Sequence, residues 1–270
     1  DLCVHRDYGL PLRTETWFEN RLCIASSYSG NTEEVIDGYK QAKERGLPLA
    51  VIAAGGALLD MAKADNIPYI ALPNTGIQPR SALGYGIMAL LTLLKQTTLL
   101  EQLQKMHEVL HPMQTEEQGK ALAQHLQGHV PLVYASQKNE TLAWNWKIKL
   151  NETGKIPAWY GLVPELNHNE MTGFDVADST ASLSKKFIIL FLEDIEDDAR
   201  VVKRMQIIKE LYQNRSLQTI SVPLSGATDI ERILNSLLLA DWTALYTAEG
   251  YGLESEQVPM VEEFKKRMAA

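Results

Sequence analysis

The sequence predicts an α/β protein built as two tandem units, each a parallel sheet flanked by helices. Two observations carry that prediction. Short apolar runs suited to buried strands alternate with helical segments along nearly the whole chain, and the alternation restarts near Gly128. A third observation points to function: the strand-to-helix junction at residues 26–34 is rich in serine, glycine and threonine. The predicted units are residues 1–128 and 129–270. No low-complexity linker separates them.

The first strand covers residues 21–26, where the run Leu22-Cys23-Ile24-Ala25 suits a strand buried on both faces. A helix over 32–45 comes next, with Gly46 placed as a C-terminal cap. Residues 49–54 form the next strand, 57–65 the next helix and 69–72 a short third strand stopped by Pro73. One long helical stretch is expected from 81 to about 110, with Pro112 as its break. After a helix at 116–126 the pattern restarts: strand 131–135, helix 142–151, strand 158–162. The most apolar strand of the chain comes next, 187–192 (FIILFL). A helix at 197–212 has acidic residues at its start and Lys209 near its end, as the helix dipole prefers. Strand 217–222 and a long helix at 230–249 complete the second unit.

Composition narrows the partners. Of 270 residues, 45% are hydrophobic and 22% charged, the balance of a folded globular protein. A net charge of −8 argues against nucleic acid, whose backbone needs a basic surface, but leaves room for a small anion in a local site. Cys3 and Cys23 lack metal-type spacing and fit a reducing, cytoplasmic compartment. No signal-peptide pattern opens the sequence, and Asp1 in place of Met leaves room for an upstream segment. The apolar stretch 82–94 falls short of the roughly 20 residues that span a bilayer, so no membrane partner is expected.

The junction Ser27-Tyr28-Ser29-Gly30-Asn31-Thr32 lies where open α/β sheets bind ligands. A helix start offers unpaired N–H groups and a positive dipole end, both suited to phosphate. Ser27, Ser29 and Thr32 add hydroxyl donors, and Gly30 lets the backbone approach an anion closely. Ser, Asn and Thr are equally common helix caps, so the segment taken alone fits either role. A second motif, His107-Glu108-Val109-Leu110-His111, has the HExxH form of zinc hydrolases, and His125 and His129 repeat its spacing. Pro112 comes immediately after, and the stretch lies among connecting helices, so no metal site is expected there.

Four ordered segments resemble one family. Ser27-Tyr28-Ser29-Gly30-Asn31-Thr32-Glu33-Glu34 is similar to the signature of SIS (sugar isomerase) domains. Pro79-Arg80-Ser81-Ala82-Leu83-Gly84-Tyr85, Pro164-Glu165-Leu166-Asn167-His168-Asn169-Glu170 and Val261-Glu262-Glu263-Phe264-Lys265 resemble the bifunctional phosphoglucose/phosphomannose isomerases. The resemblance implies two flavodoxin-like SIS units and a homodimer. It also implies interconversion of glucose 6-phosphate or mannose 6-phosphate with fructose 6-phosphate through a cis-enediol, with no metal or cofactor. Such chemistry needs a ring-opening acid/base, a carboxylate to carry the proton, and a cation near the developing oxyanion.

Carried over residue by residue, the resemblance makes Glu152 the proton-transferring base and His168 the ring-opening histidine, supplied across the dimer interface. Arg80 would stabilise the enediolate, and Lys265 would reach the sugar ring oxygen or hydroxyls. Ser27, Ser29 and Thr32 would bind the substrate phosphate. Glu165 and Glu170 are expected to support His168. Read without the family, Glu152 is a solvated helix end, His168 a cap for the next helix, Arg80 a surface residue in a turn and Lys265 part of a basic helix end. The family also carries an earlier Gly-Gly-Ser loop, whereas here Tyr8-Gly9-Leu10-Pro11 resembles the stretch just after that loop. The first strand and helix of the family are therefore expected to be absent from this sequence. That expectation keeps a second reading open, a SIS module that binds a phosphosugar without turning it over.

Overall fold

The computed structural model describes residues 2–268, which divide into two compact units between Gln104 and Lys105. In the first unit, α1 (Glu15–Phe18) leads into β1 (Cys23–Ser27), α2 (Glu33–Glu44), β2 (Leu49–Ala53), α3 (Gly56–Ala64) and β3 (Tyr69–Ala71). The three strands are parallel in the order β1-β2-β3, with Cys23 opposite Leu49 and Val51 opposite Tyr69. The central strand β2 is buried along its whole length, because helices cover both faces. Leu49, Val51 and Ala53 pack on Tyr39 and Ala42 of α2 and on Leu58, Leu59 and Ala62 of α3. Ile52 faces the other way, onto Ala89 of α4 (Leu83–Leu93).

The expected long helix over 81–110 is three pieces: α4, α5 (Thr97–Gln104) and α6 (Met106–Val109). The first break is a left-handed C-terminal turn. Lys95 takes φ +53°, its N–H bonds Thr92 O at 3.1 Å, and Gln96 N–H reaches back to Leu91 O at 2.9 Å. This is the hydrogen-bond pattern that ends helices at glycine, formed here by a lysine, so nothing in the local composition marks it.

The second unit comprises α7 (Glu116–Leu126), β4 (Val130–Ser136), α8 (Glu140–Glu152), β5 (Trp159–Val163), α9 (Glu170–Gly173), α10 (Ala181–Ser184), β6 (Phe187–Glu193), α11 (Ala199–Gln213), β7 (Gln218–Pro223), α12 (Asp229–Gly250) and α13 (Pro259–Met268). Its four parallel strands run β5-β4-β6-β7. One face carries Leu132, Tyr134, Ile189 and Phe191 against Met205, Ile208 and Tyr212 of α11. On the helical side, α12 packs against α7 and α8.

The boundary between the units differs from the sequence expectation of 128/129. Helix α7, assigned by sequence to residues 1–128, packs on α12, and Trp242 Nε1 donates to Pro112 O at 2.9 Å. Its apolar residues Leu122 and Leu126 are buried in that contact region, which ties the connecting segment to the second unit. Among the described residues, no helix is long and apolar enough to cross a membrane.

Candidate active site

Because the strands of the first sheet are parallel, the loops after β1, β2 and β3 gather at one edge. The loop after β1 is locked onto the loop after β2. Tyr28 O accepts Ala54 N–H at 2.9 Å, Gly30 O accepts Leu58 N–H at 2.9 Å, and Asn31 Oδ1 accepts Ala57 N–H at 3.0 Å. Gly30 sits at φ +70°, and a Cβ there would lie 1.7 Å from Gly55 O, so the two backbones approach too closely for any side chain.

The hydroxyl groups divide their roles. Ser27 is buried; its Oγ accepts Gly30 N–H at 3.1 Å and lies 2.7 Å from Thr32 Oγ1. Thr32 holds the N-cap position of α2, yet its side chain makes no capping bond. The Thr32 hydroxyl therefore braces the loop against Ser27 in place of capping α2. Ser29 is exposed and accepts Asn31 N–H at 3.3 Å. The turn thus combines inward-braced hydroxyls and an exposed serine with the start of a helix, where backbone N–H groups lack intrahelical partners.

Arg80 lies half-buried in the single turn Pro79–Ser81 after β3, at the same edge of the sheet as the loop. Tyr28 OH links the two connections by donating to Pro73 O at 3.2 Å. Ser27, Ser29, Thr32 and Arg80 therefore share one edge.

The second unit positions its candidates differently. Glu152 is the last residue of α8, half-buried, with its backbone carbonyl accepting from Lys155 Nζ at 2.7 Å. Helix α8 runs back from the end of β4 to the start of β5, so Glu152 stands at the amino edge of the second sheet. His168 lies in the turn Glu165–His168 beyond the end of β5, at the carboxyl edge, and is exposed. The two are separated by the length of β5, about 16 Å for five strand residues. His168 does not cap the next helix; Asn169 does, its Oδ1 accepting Glu170 N–H at 2.6 Å. Glu165 accepts from Asn169 Nδ2 at 3.2 Å, and Glu170 accepts from Tyr134 OH at 3.0 Å. Lys265, exposed on α13, pairs with Glu262 at 2.8 Å.

The carboxyl edge of the second sheet holds a polar cluster that residue types alone do not announce. Buried Asp194, just past β6, receives Glu196 N–H at 3.0 Å, Lys138 Nζ at 3.0 Å and Asn139 Nδ2 at 3.2 Å, with Arg232 Nε at 3.3 Å. Burial pushes its carboxyl up, but the hydrogen bonds from Glu196, Asn139 and Lys138 outweigh it and hold it below the ordinary range. Neighbouring Asp197 goes the other way: burial raises it, against the lowering effect of Ser136, whose Oγ donates to it at 2.6 Å. The sequence clue, readable only in hindsight, is a serine ending an apolar strand with asparagine three positions on.

The HExxH segment lacks the geometry that its motif requires. Helix α6 stops at Val109, and His111 has left the helix at φ −121°, ψ 85°, so the two histidines do not share a helical face. Among the described residues, no group of three or more His, Cys, Asp and Glu is arranged to hold a metal ion.

Known proteins share this chain's pattern. Residues 115–268 match the family described as "Bacterial phospho-glucose isomerase C-terminal SIS domain". The bifunctional phosphoglucose/phosphomannose isomerase of Aquifex aeolicus is 31% identical over 267 residues, covering 98% of this chain and 80% of that protein. Its namesake in Caldicellulosiruptor bescii is 33% identical over 280 residues, with the same coverage. Among solved structures, a glucose-6-phosphate isomerase like protein of Thermus thermophilus superposes with a TM-score of 0.57 at 18% identity, over 94% of this chain and 87% of that one. That likeness speaks for the fold, while the sequence identities over nearly the full length speak for kinship. The chain belongs to the bifunctional phosphoglucose/phosphomannose isomerase family.

Proposed function

We propose that this chain is an aldose–ketose isomerase that interconverts glucose 6-phosphate or mannose 6-phosphate with fructose 6-phosphate. The observation that carries the reading is the loop after β1, a helix start with braced serine and threonine hydroxyls, in a chain whose relatives bear that activity in their names. Ser27, Ser29 and Thr32 hold the phosphate with the first N–H groups of α2. Arg80, at the same sheet edge, offers a fixed positive charge to the enediolate oxygen, where charge develops in the transition state.

Glu152 removes the proton from C2 of the aldose and returns it to C1, so that one carboxylate serves both halves of the transfer. His168 opens the ring by moving a proton between the C1 hydroxyl and the ring oxygen, and Lys265 binds the ring oxygen or hydroxyls. Glu152 and His168 stand at opposite ends of β5 in one chain, which supports a His168 contributed by a second copy in a homodimer. Gel filtration tests that assembly, and a protein that stays monomeric while active contradicts it.

A coupled assay with fructose 6-phosphate on the full chain tests the activity. Turnover that disappears in Glu152→Gln while fructose 6-phosphate still binds supports the isomerase. Binding without turnover in the unmodified chain identifies a phosphosugar-binding module instead.

A further inference from the structure

His168 sits on a short arch with two anchors. Before it, Leu166 is plugged into the core of the second unit at 1% exposure. After it, Glu170 is an exposed residue whose carboxylate nonetheless accepts from Tyr134 OH and lies beside Gly161. Tyr134 belongs to β4, is fully buried, and packs edge-on to Phe191 with ring centroids 5.6 Å apart. The phenol therefore cannot move with the arch if the arch shifts.

Room for this bond is made by Gly161, the residue of β5 opposite Tyr134 in the strand register. A Cβ at Gly161 would lie 2.9 Å from Tyr134 Cε1 and 3.0 Å from both carboxylate oxygens of Glu170. The missing side chain is the opening through which the carboxylate reaches the phenol. Burial, with Tyr212 and Glu170 beside it, pushes the Tyr134 phenol far above its ordinary value. It stays protonated and donates across the range in which such an enzyme works.

We propose that Tyr134 is a positioning residue for His168, acting through its hydrogen bond to Glu170, with Gly161 holding open the space for that bond. The inference rests on the isomerase reading of His168. A ring-opening histidine on an exposed arch needs such an anchor, because a displacement on the order of 1 Å costs catalytic efficiency steeply. Asn169 Nδ2 to Glu165 at 3.2 Å and Arg204 to Asn167 Oδ1 at 3.3 Å lie at the arch surface, where water competes with both bonds. The Tyr134 bond is the one whose donor is held in the core.

The test is a double-mutant cycle in the fructose 6-phosphate assay on the full chain. Tyr134→Phe keeps the ring and removes the hydroxyl; kcat should fall about tenfold with KM within about twofold of wild type. Glu170→Gln retains an acceptor oxygen for the phenol and should therefore lose less kcat than Glu170→Ala. Glu170→Ala should match Tyr134→Phe, and the double variant should lose no more than either alone. In a His168→Ala background, Tyr134→Phe should cost nothing further. Full kcat in Tyr134→Phe, or additive losses in the cycle, overturns the proposal. His168→Ala with undiminished turnover instead refutes the role of His168 itself. Should Tyr134→Phe fail to fold, Gly161→Ala provides the same reading from the other side, since it displaces Glu170 from the phenol. Wild-type kcat in a folded Gly161→Ala chain then counts against the proposal.

Discussion

Gly30→Ala tests the phosphate loop most directly. The added carbon would lie 1.7 Å from Gly55 O and 2.8 Å from Gly55 C. Normal contacts between such atoms are about 3.5 Å, so the two loops must part by roughly 1.5–2 Å. Parting them breaks the bonds from Leu58 N–H to Gly30 O and from Ala54 N–H to Tyr28 O, both 2.9 Å. At about 1 kcal/mol net for each bond and another ~1 kcal/mol for an alanine in the left-handed region, the loss is about 3 kcal/mol. Gly46→Ala is the control. Gly46 has φ +64° but nothing within 4 Å of a new Cβ, so it suffers the backbone strain alone. The difference, about 2 kcal/mol, amounts to roughly 10 °C in the melting of a unit of about 100 residues. Thermal melting reads the stability, and titration calorimetry with inorganic phosphate reads the site. Gly30→Ala should melt below Gly46→Ala and lose most phosphate affinity, while Gly46→Ala keeps it. Equal melting of the two variants, with phosphate binding intact in both, refutes the claim that loop closure builds the anion site.

Catalysis, pH dependence and the buried ion pair of the second unit give three further expected outcomes. Glu152→Gln should lower kcat by about 10²–10⁴-fold with fructose 6-phosphate affinity nearly unchanged, since the amide keeps the shape but cannot carry the proton; single-turnover and equilibrium binding measurements separate the two effects. Asp194 and Asp197 should give opposite pH dependences of stability. The depressed carboxyl of Asp194 stabilises the fold above its ordinary value of 3.8 and loses that contribution as pH falls through its lower folded value, so Asp194→Asn should flatten the acid side of a melting-temperature profile. Asp197 is raised, so its contribution is full below 3.8 and lost as pH rises through its folded value; Asp197→Asn should remove a decline in stability on going up in pH. Lys149 is 3% exposed and pairs with half-exposed Asp241 on α12. Asp241→Ala leaves that ammonium buried without its partner and should cost about 2–3 kcal/mol, whereas Lys149→Met should cost less; denaturant melts decide between them.

Much of the fold was legible because strand and helix identity is largely local. Residues 187–192 are apolar throughout because β6 is buried on both faces, and the sequence range nearly coincides with Phe187–Glu193. The loop at Ser27–Thr32 was legible for the same reason: a strand, a small-residue turn and a helix succeed one another directly in sequence. The break of the long helix at Lys95 was not, because a lysine there adopts the conformation that composition assigns to glycine.

The sequence by itself determined an α/β chain of parallel sheets, the serine- and threonine-rich turn between β1 and α2 and, through family resemblance, the residues offered for phosphate binding and catalysis. Tertiary structure decided the rest. It took α7 into the second unit, because which faces two helices share depends on partners more than a hundred residues apart. It turned Asn31 into the clasp between two loops and brought the carboxylate of Glu170 to Tyr134. It also set Glu152 and His168 at opposite edges of one sheet, although only 16 positions separate them in sequence. A parallel strand carries the chain from one edge to the other, so neighbours in sequence become distant in space, and only the folded topology reveals on which edge each functional group stands.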